Sequence, residues 1–173
     1  VLAETDTVVT HCPSSNMKLA SGIAPVQDYL DRGIAVALGS DGPPCNNTLD
    51  PFTEMRQASL LGKVDRLDPE TTPAQVVFEM ATLGGARAAG FEEIGALREG
   101  WQADVIALDT DLTRATPLFD PLSHLVFSAH GDDVTFTMVD GDVVYDEAAG
   151  GLRTGDADEI RRRARAVADG LRD

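Results

Sequence analysis

Cysteine and lysine are both scarce in this sequence, and Lys18 and Lys63 are its two lysines. There are two cysteines, Cys12 and Cys45, and they form no CxxC pair. That leaves no basis for a dithiol redox motif or a cysteine-rich zinc module, and both are expected to be free thiols. No run approaches the roughly 20 apolar residues of a membrane-spanning helix. The opening stretch, residues 1–10, has neither the basic flank nor the long apolar centre of a secretory leader. Basic residues are few, 14 against 29 acidic ones, for a net charge of -15. Such a surface repels phosphate backbones and argues against nucleic acid as a general partner. Its self-repulsion weakens when salt shortens the Debye length to about 3 Å at 1 M, so a salt-rich interior would suit it. These absences lead us to expect a cytoplasmic chain with no membrane partner. The first residue is Val1, and the beginning of the protein is expected to lie upstream.

What is present is enough for a folded domain: 173 residues, 43% of them hydrophobic, without internal repeats. The first 90 residues alternate strand and helix signals. A β-rich run over residues 7–10 ends at His11-Cys-Pro-Ser-Ser-Asn16, and Pro25 opens a short helix through Leu30 that Gly33 closes. Ile34-Ala-Val-Ala-Leu38 is the continuous apolar run of a parallel strand buried on both faces, and it ends at Gly39-Ser-Asp-Gly42. Asp50-Pro51 begins a helix to about Leu61, and Thr72-Pro73 begins another ending near Gly90. This order predicts an α/β layer with a parallel sheet.

After Gly90 the expected elements are short strands, at residues 104–108, 134–139 and 142–145, with Asp140-Gly141 as a hairpin turn. Residues 156–171 carry Ile160, Ala164, Val167, Ala168 and Leu171 at helical spacing, interleaved with Arg161, Arg162, Arg163 and Arg165. They predict a closing amphipathic helix whose arginines form a solvated, ion-paired face.

Asp41 is the position with most to say about chemistry. It follows a buried strand directly and sits among small residues, and in α/β folds the C-terminal strand ends face the ligand site. A carboxylate there can bind a metal or move a proton; equally, an Asp before Gly can simply cap a turn. His11 also follows a strand end, as a ligand or donor or as a residue that fixes its loop. The loop Pro43-Pro-Cys-Asn-Asn-Thr48 brings Cys45 and Asn46 beside Asp41, where an amide can read a polar substrate or satisfy its own backbone. His124 and His130, which flank an apolar stretch, are expected to be structural, and Glu54, Met55 and Arg56 to serve packing and ion pairing.

The runs His11-Cys-Pro-Ser-Ser-Asn-Met-Lys-Leu-Ala-Ser-Gly-Ile-Ala-Pro25 and Gly39-Ser-Asp-Gly-Pro-Pro-Cys-Asn-Asn47 resemble the amidohydrolase superfamily. The likeness is to the branch of S-adenosylhomocysteine and methylthioadenosine deaminases, other adenosine-type deaminases and triazine chlorohydrolases. It continues through Leu49-Asp-Pro-Phe-Thr-Glu-Met-Arg56, Ala81-Thr-Leu-Gly-Gly-Ala86, Ile94-Gly-Ala-Leu-Arg-Glu-Gly-Trp-Gln-Ala-Asp104 and Asp120-Pro-Leu-Ser-His-Leu-Val126. The resemblance implies a (β/α)8 barrel with a divalent metal at its C-terminal strand ends, zinc first, with iron or manganese as alternatives. Residues 1–90 would then be the last two β/α units of the barrel, residues 91–155 part of a composite β-sandwich, and residues 156–173 a C-terminal helix. Asp41 would bind the metal and shuttle protons, with Cys45, Asn46 and His11 at the substrate. Cys45 stands where many members carry Ser.

The family's other ligands are a His-x-His pair, a His with a nearby Glu and a further His. The three histidines here are at 11, 124 and 130, and no His-x-His occurs. We therefore expect an incomplete metal site, a chain inactive by itself, and a missing N-terminal half as partner. The expected activity of the parent enzyme is hydrolytic deamination of an aminated purine nucleoside or related heterocycle. Dechlorination or deamination of a triazine is one alternative, and a non-catalytic module that self-associates or pairs with the missing half is another. A homo-oligomer is expected, because two barrel strands alone leave unpaired edges.

Overall fold

The computed structural model describes residues 1–171, which form a mixed α/β fold in two compact units. The first unit takes residues 1–101 and 110–133; the second takes residues 102–109 and those from Val134 on.

The first unit is organised by two parallel strands, β1 (Val9–His11) and β2 (Val36–Leu38), paired Val9 with Val36 and His11 with Leu38. Val36 and Ala37 are buried on the two faces of β2, as a continuous apolar run demands. Gly39 follows, where a Cβ would meet Thr10 Cγ2 at 2.8 Å and Cys12 Sγ at 3.2 Å. Only glycine lets the two strand ends converge so closely.

Helices follow each strand. β1 leads through Cys12 into α1 (Pro13–Lys18), and α2 (Val26–Asp31) returns to β2. After β2 come α3 (Pro43–Asn46) and α4 (Pro51–Arg66), the latter capped by the Asp50 carboxylate, which accepts from the Phe52 amide. α4 runs past the expected end near Leu61. Gly62 does not stop it; a Cβ there would meet Thr72 Oγ1 at 2.4 Å, so the residue is glycine for packing.

The single helix expected to follow Pro73 is two, α5 (Ala74–Ala81) and α6 (Leu83–Ala89), broken at Thr82 with φ -111 and ψ -86. The break lowers Gly84 onto β2, where a Cβ would meet the Val36 carbonyl at 2.5 Å. A further helix, α7 (Pro121–Phe127), packs on α4 and α5 in a region expected to hold short strands. Its start repeats the signature of α4: Asp120 accepts from the Leu122 and Ser123 amides, and Pro121 follows. Val77, Val126, Ala58 and the cluster of Val26, Val36 and Met80 form the core.

The second unit is a four-stranded antiparallel sheet of β3 (Val105–Leu108), β4 (Val134–Val139), β5 (Asp142–Asp146) and β6 (Gly151–Leu152), in that order. Asp140 and Gly141 both take positive φ in the β4–β5 turn, as the Asp-Gly signal requires. Last comes α8 (Ala157–Gly170), with Asp156 as its cap. Its expected extension to residue 173 reaches outside the described residues. The Arg161–Asp158 and Arg163–Glu159 pairs bear out an ion-paired face.

Candidate active site at the strand ends

Asp41 lies three residues past the end of β2, and its backbone is left-handed, with φ 59. The carboxylate is solvent-exposed yet oriented at both oxygens. Ser15 Oγ, one turn into α1, donates to Oδ2 at 2.6 Å, and the Gly42 amide donates to Oδ1 at 2.7 Å. The Ser15 bond above all, then the Gly42 amide and a lesser contribution from the Cys45 thiol, holds the Asp41 carboxyl below its ordinary pKa. It is therefore a charged, oriented acceptor facing water.

Cys45 and Asn46 sit on α3, which the turn after Asp41 starts. Cys45 is half-buried with a free thiol. Asn46 is buried and its amide is fully engaged. Nδ2 donates to the Ser40 carbonyl and to Glu54 Oε1, both at 2.7 Å, while Oδ1 accepts from the Thr48 amide and hydroxyl and from the Leu49 amide. The local reading in which an Asn-rich loop satisfies its own backbone describes Asn46 well.

His11 ends β1 and is 3% exposed, with no protein partner for Nδ1 among the described residues. Burial pushes its pKa below the ordinary 6.5, so it is neutral at pH 7. Beside it, burial and then the Asp41 and Glu54 carboxylates raise the Cys12 thiol.

Glu54 is the residue the sequence reading undervalued. It was expected to serve packing and ion pairing, yet among the described residues no Lys, Arg or His pairs with it. It is 2% exposed, and its carboxylate accepts from the Ser14 amide at 3.2 Å, from the Ser14 hydroxyl and from Asn46. An acidic residue in the first turn after an Asp-Pro start was the available signal. His124 is buried on α7 with no hydrogen-bond partner for Nε2 among the described residues, and His130 is exposed.

Among the described residues no group of three or more His, Cys, Asp and Glu side chains converges to hold a metal. Zinc takes three or four protein ligands, and Asp41 offers one, so these residues alone do not fit a catalytic ion. No described helix is long and apolar enough to cross a membrane.

The profile of the Amidohydrolase family matches residues 1–144, and the chain belongs to that family. It is 50% identical over 145 residues to a 5-methylthioadenosine/S-adenosylhomocysteine deaminase of Nitratidesulfovibrio vulgaris, covering 84% of this chain and 33% of that protein. Among solved structures, it superposes with a TM-score of 0.94 and 36% identity on a zinc-bound adenosine deaminase from Xanthomonas campestris. That match covers 99% of this chain and 39% of the other. An atrazine chlorohydrolase variant from Arthrobacter aurescens, solved with zinc and atraton, matches with a TM-score of 0.85 and 27% identity over 95% of this chain and 36% of the other. The chain thus spans about a third of the length of the relatives it matches.

Proposed function

We propose that this chain supplies two strand–helix units and the proton-transferring carboxylate of a hydrolase that deaminates an aminated purine nucleoside. The observation that carries the proposal is the state of Asp41: charged, exposed, and aimed by Ser15 and Gly42 at the end of a buried parallel strand. In this reading, water adds to the ring carbon that bears the amine, and Asp41 takes a proton from it. The carbon–nitrogen bond then breaks as that proton passes to the departing nitrogen, which leaves as ammonia. His11, with a buried ring nitrogen lacking a protein partner, and Cys45, half-buried beside Asp41, are the proposed substrate contacts. Asn46 is proposed to hold the loop instead, because its amide has no capacity left over.

The remaining strands, and with them the family's divalent metal, zinc first, belong to the rest of the barrel outside these residues. The names of the deaminase relatives support a nucleoside, and the two zinc-bound structures support the metal. The unpaired outer edges of β1 and β2 support pairing with an N-terminal half or a second copy. Within residues 91–155, β3 to β6 would form part of a β-sandwich, with α8 as a closing helix, while residues 110–133 pack with the first unit.

The test is made on this chain joined to the missing N-terminal half of the barrel, and combines zinc, iron and manganese per molecule with ammonia release from methylthioadenosine, S-adenosylhomocysteine and adenosine, and chloride release from atrazine. Ammonia release that Asp41→Asn abolishes is the expected result. Chloride release in its place would favour the triazine reading that the chlorohydrolase likeness offers. Metal near zero with no turnover would favour a non-catalytic module.

A further inference from the structure

The loop from Gly39 to Leu49 is held in an unfavourable shape. Asp41, Asn47 and Leu49 all adopt left-handed backbones, with φ 59, 79 and 51, and none is glycine. Asp41 and Asn47 tolerate positive φ better than most residues, but Leu49 does not, so three in nine positions persist only where surrounding contacts over-determine the fold. Those contacts come from three directions. Lys18 Nζ donates to the Pro44 carbonyl at 2.7 Å and to Asn47 Oδ1, holding the outer side. Ser15 holds the Asp41 carboxylate. Glu54, buried beneath, holds the inner side through Asn46, whose amide reaches both Glu54 and the Ser40 carbonyl immediately before Asp41.

Glu54 also accepts from Ser14, the neighbour of Ser15, at the start of α1. One carboxylate therefore ties the turn after β1 to the turn after β2, and both routes end at Asp41. We propose that Glu54 is the positioning residue of the site: a buried anion, clamped by Ser14 and Asn46, that keeps the strained Asp41 loop in its one productive shape. The Ser14 amide and the Asn46 Nδ2 that it meets can only donate, and the Ser14 hydroxyl is shared with Gln57 Oε1. A carboxylate satisfies all of them, whereas an amide of the same size must turn an NH2 toward either Ser14 or Asn46. Glu54 does not reach Asp41 directly, so it acts through its neighbours.

The part concerning rate rests on the reading of Asp41 as the reacting carboxylate; the part concerning the loop does not. The experiment compares wild type, Glu54→Gln, Glu54→Asp and Asp41→Asn, each joined to the missing N-terminal half of the barrel, by amide hydrogen exchange and by the deaminase assay. In Glu54→Gln, exchange of the hydrogen-bonded Cys45, Asn46 and Asn47 amides should speed up roughly ten- to a hundredfold, with Val77 and the β1–β2 ladder unchanged. The kcat should fall by a similar factor while KM stays within about threefold, since an interaction lost only at the reacting group leaves uniform binding intact. Glu54→Asp, which keeps the acceptor, should recover part of both. If the Gln variant fails to fold, Ser14→Ala carries the same test by removing a hydroxyl donor and leaving the carboxylate.

Loop exchange that matches wild type, or a rise shared equally by the loop and the core, would overturn the proposal. Turnover that survives Asp41→Asn would sink the reading of Asp41, and the loop exchange would still decide the role of Glu54.

Discussion

Every buried residue among those described belongs to the first unit, and none belongs to the second. The second unit has its own four-stranded sheet and a helix, so hydrogen-bonded elements alone do not make an interior. In the first unit, α2, α5 and α6 pack on β2, Val36 and Ala37 are buried, and in that dry setting a buried Glu54 can organise a loop. In the second, four strands and one helix expose Ile106, Val139, Ile160 and Val167. A sheet needs a second layer to bury a face, and among the described residues of this unit none is buried.

Several substitutions would break or sharpen that contrast. Met80→Ala should cost about 2–5 kcal/mol in urea unfolding, because it empties space between Val26 and Val36. Ile106→Ala in the exposed sheet should stay within about 0.5 kcal/mol of wild type in the same experiment, and equal costs would abolish the contrast. Gly84→Ala should cost about 1–3 kcal/mol through its clash with the Val36 carbonyl. Gly85→Ala, its neighbour in α6 with nothing within 4 Å, should stabilise by roughly 0.5–1 kcal/mol on helix propensity.

His11 adds a pH dependence confined to the first unit. Its folded pKa is depressed, so the unfolded chain binds the proton more readily. Stability is full above about pH 6.5 and falls as pH drops toward the folded value, and His11→Gln should remove that part of the slope in denaturation midpoints taken between pH 7.5 and 5. Asp156→Ala should lower helical circular dichroism from α8, at about 1 kcal/mol for a lost cap, without moving the midpoint of the first unit. The smallest effect is Arg163→Ala: its exposed pair with Glu159 should be worth only about 0.3–0.5 kcal/mol.

Much of the framework was legible in local signals. The apolar run at residues 34–38, the Asp-Pro start of α4, the Asp-Gly hairpin and the spacing of α8 each depend on neighbouring residues alone, and each formed where expected. α7 carries the same Asp-Pro start, but the turn and strand signals on either side of it obscure a helix of 7 residues. α1 and α3 are only 6 and 4 residues long, too short for periodicity to register. At the site, Asp41 and its loop drew attention because they follow a buried strand. Ser15 and Glu54 did not, since their bonds to Asp41 and Asn46 join positions 26 and 8 residues away.

What the sequence determined by itself was therefore β2, the starts of α4 and α8, the Asp-Gly hairpin, the acidic surface and the family, because propensity, capping, charge and motif order are properties of adjacent residues. Tertiary structure alone decided that Gly62 continues a helix, that Thr82 divides one, and that Asn46 turns inward to a buried glutamate. Those outcomes depend on which distant atoms share a space: Thr72 over Gly62, Val36 under Gly84, and Ser14 and Asn46 around Glu54.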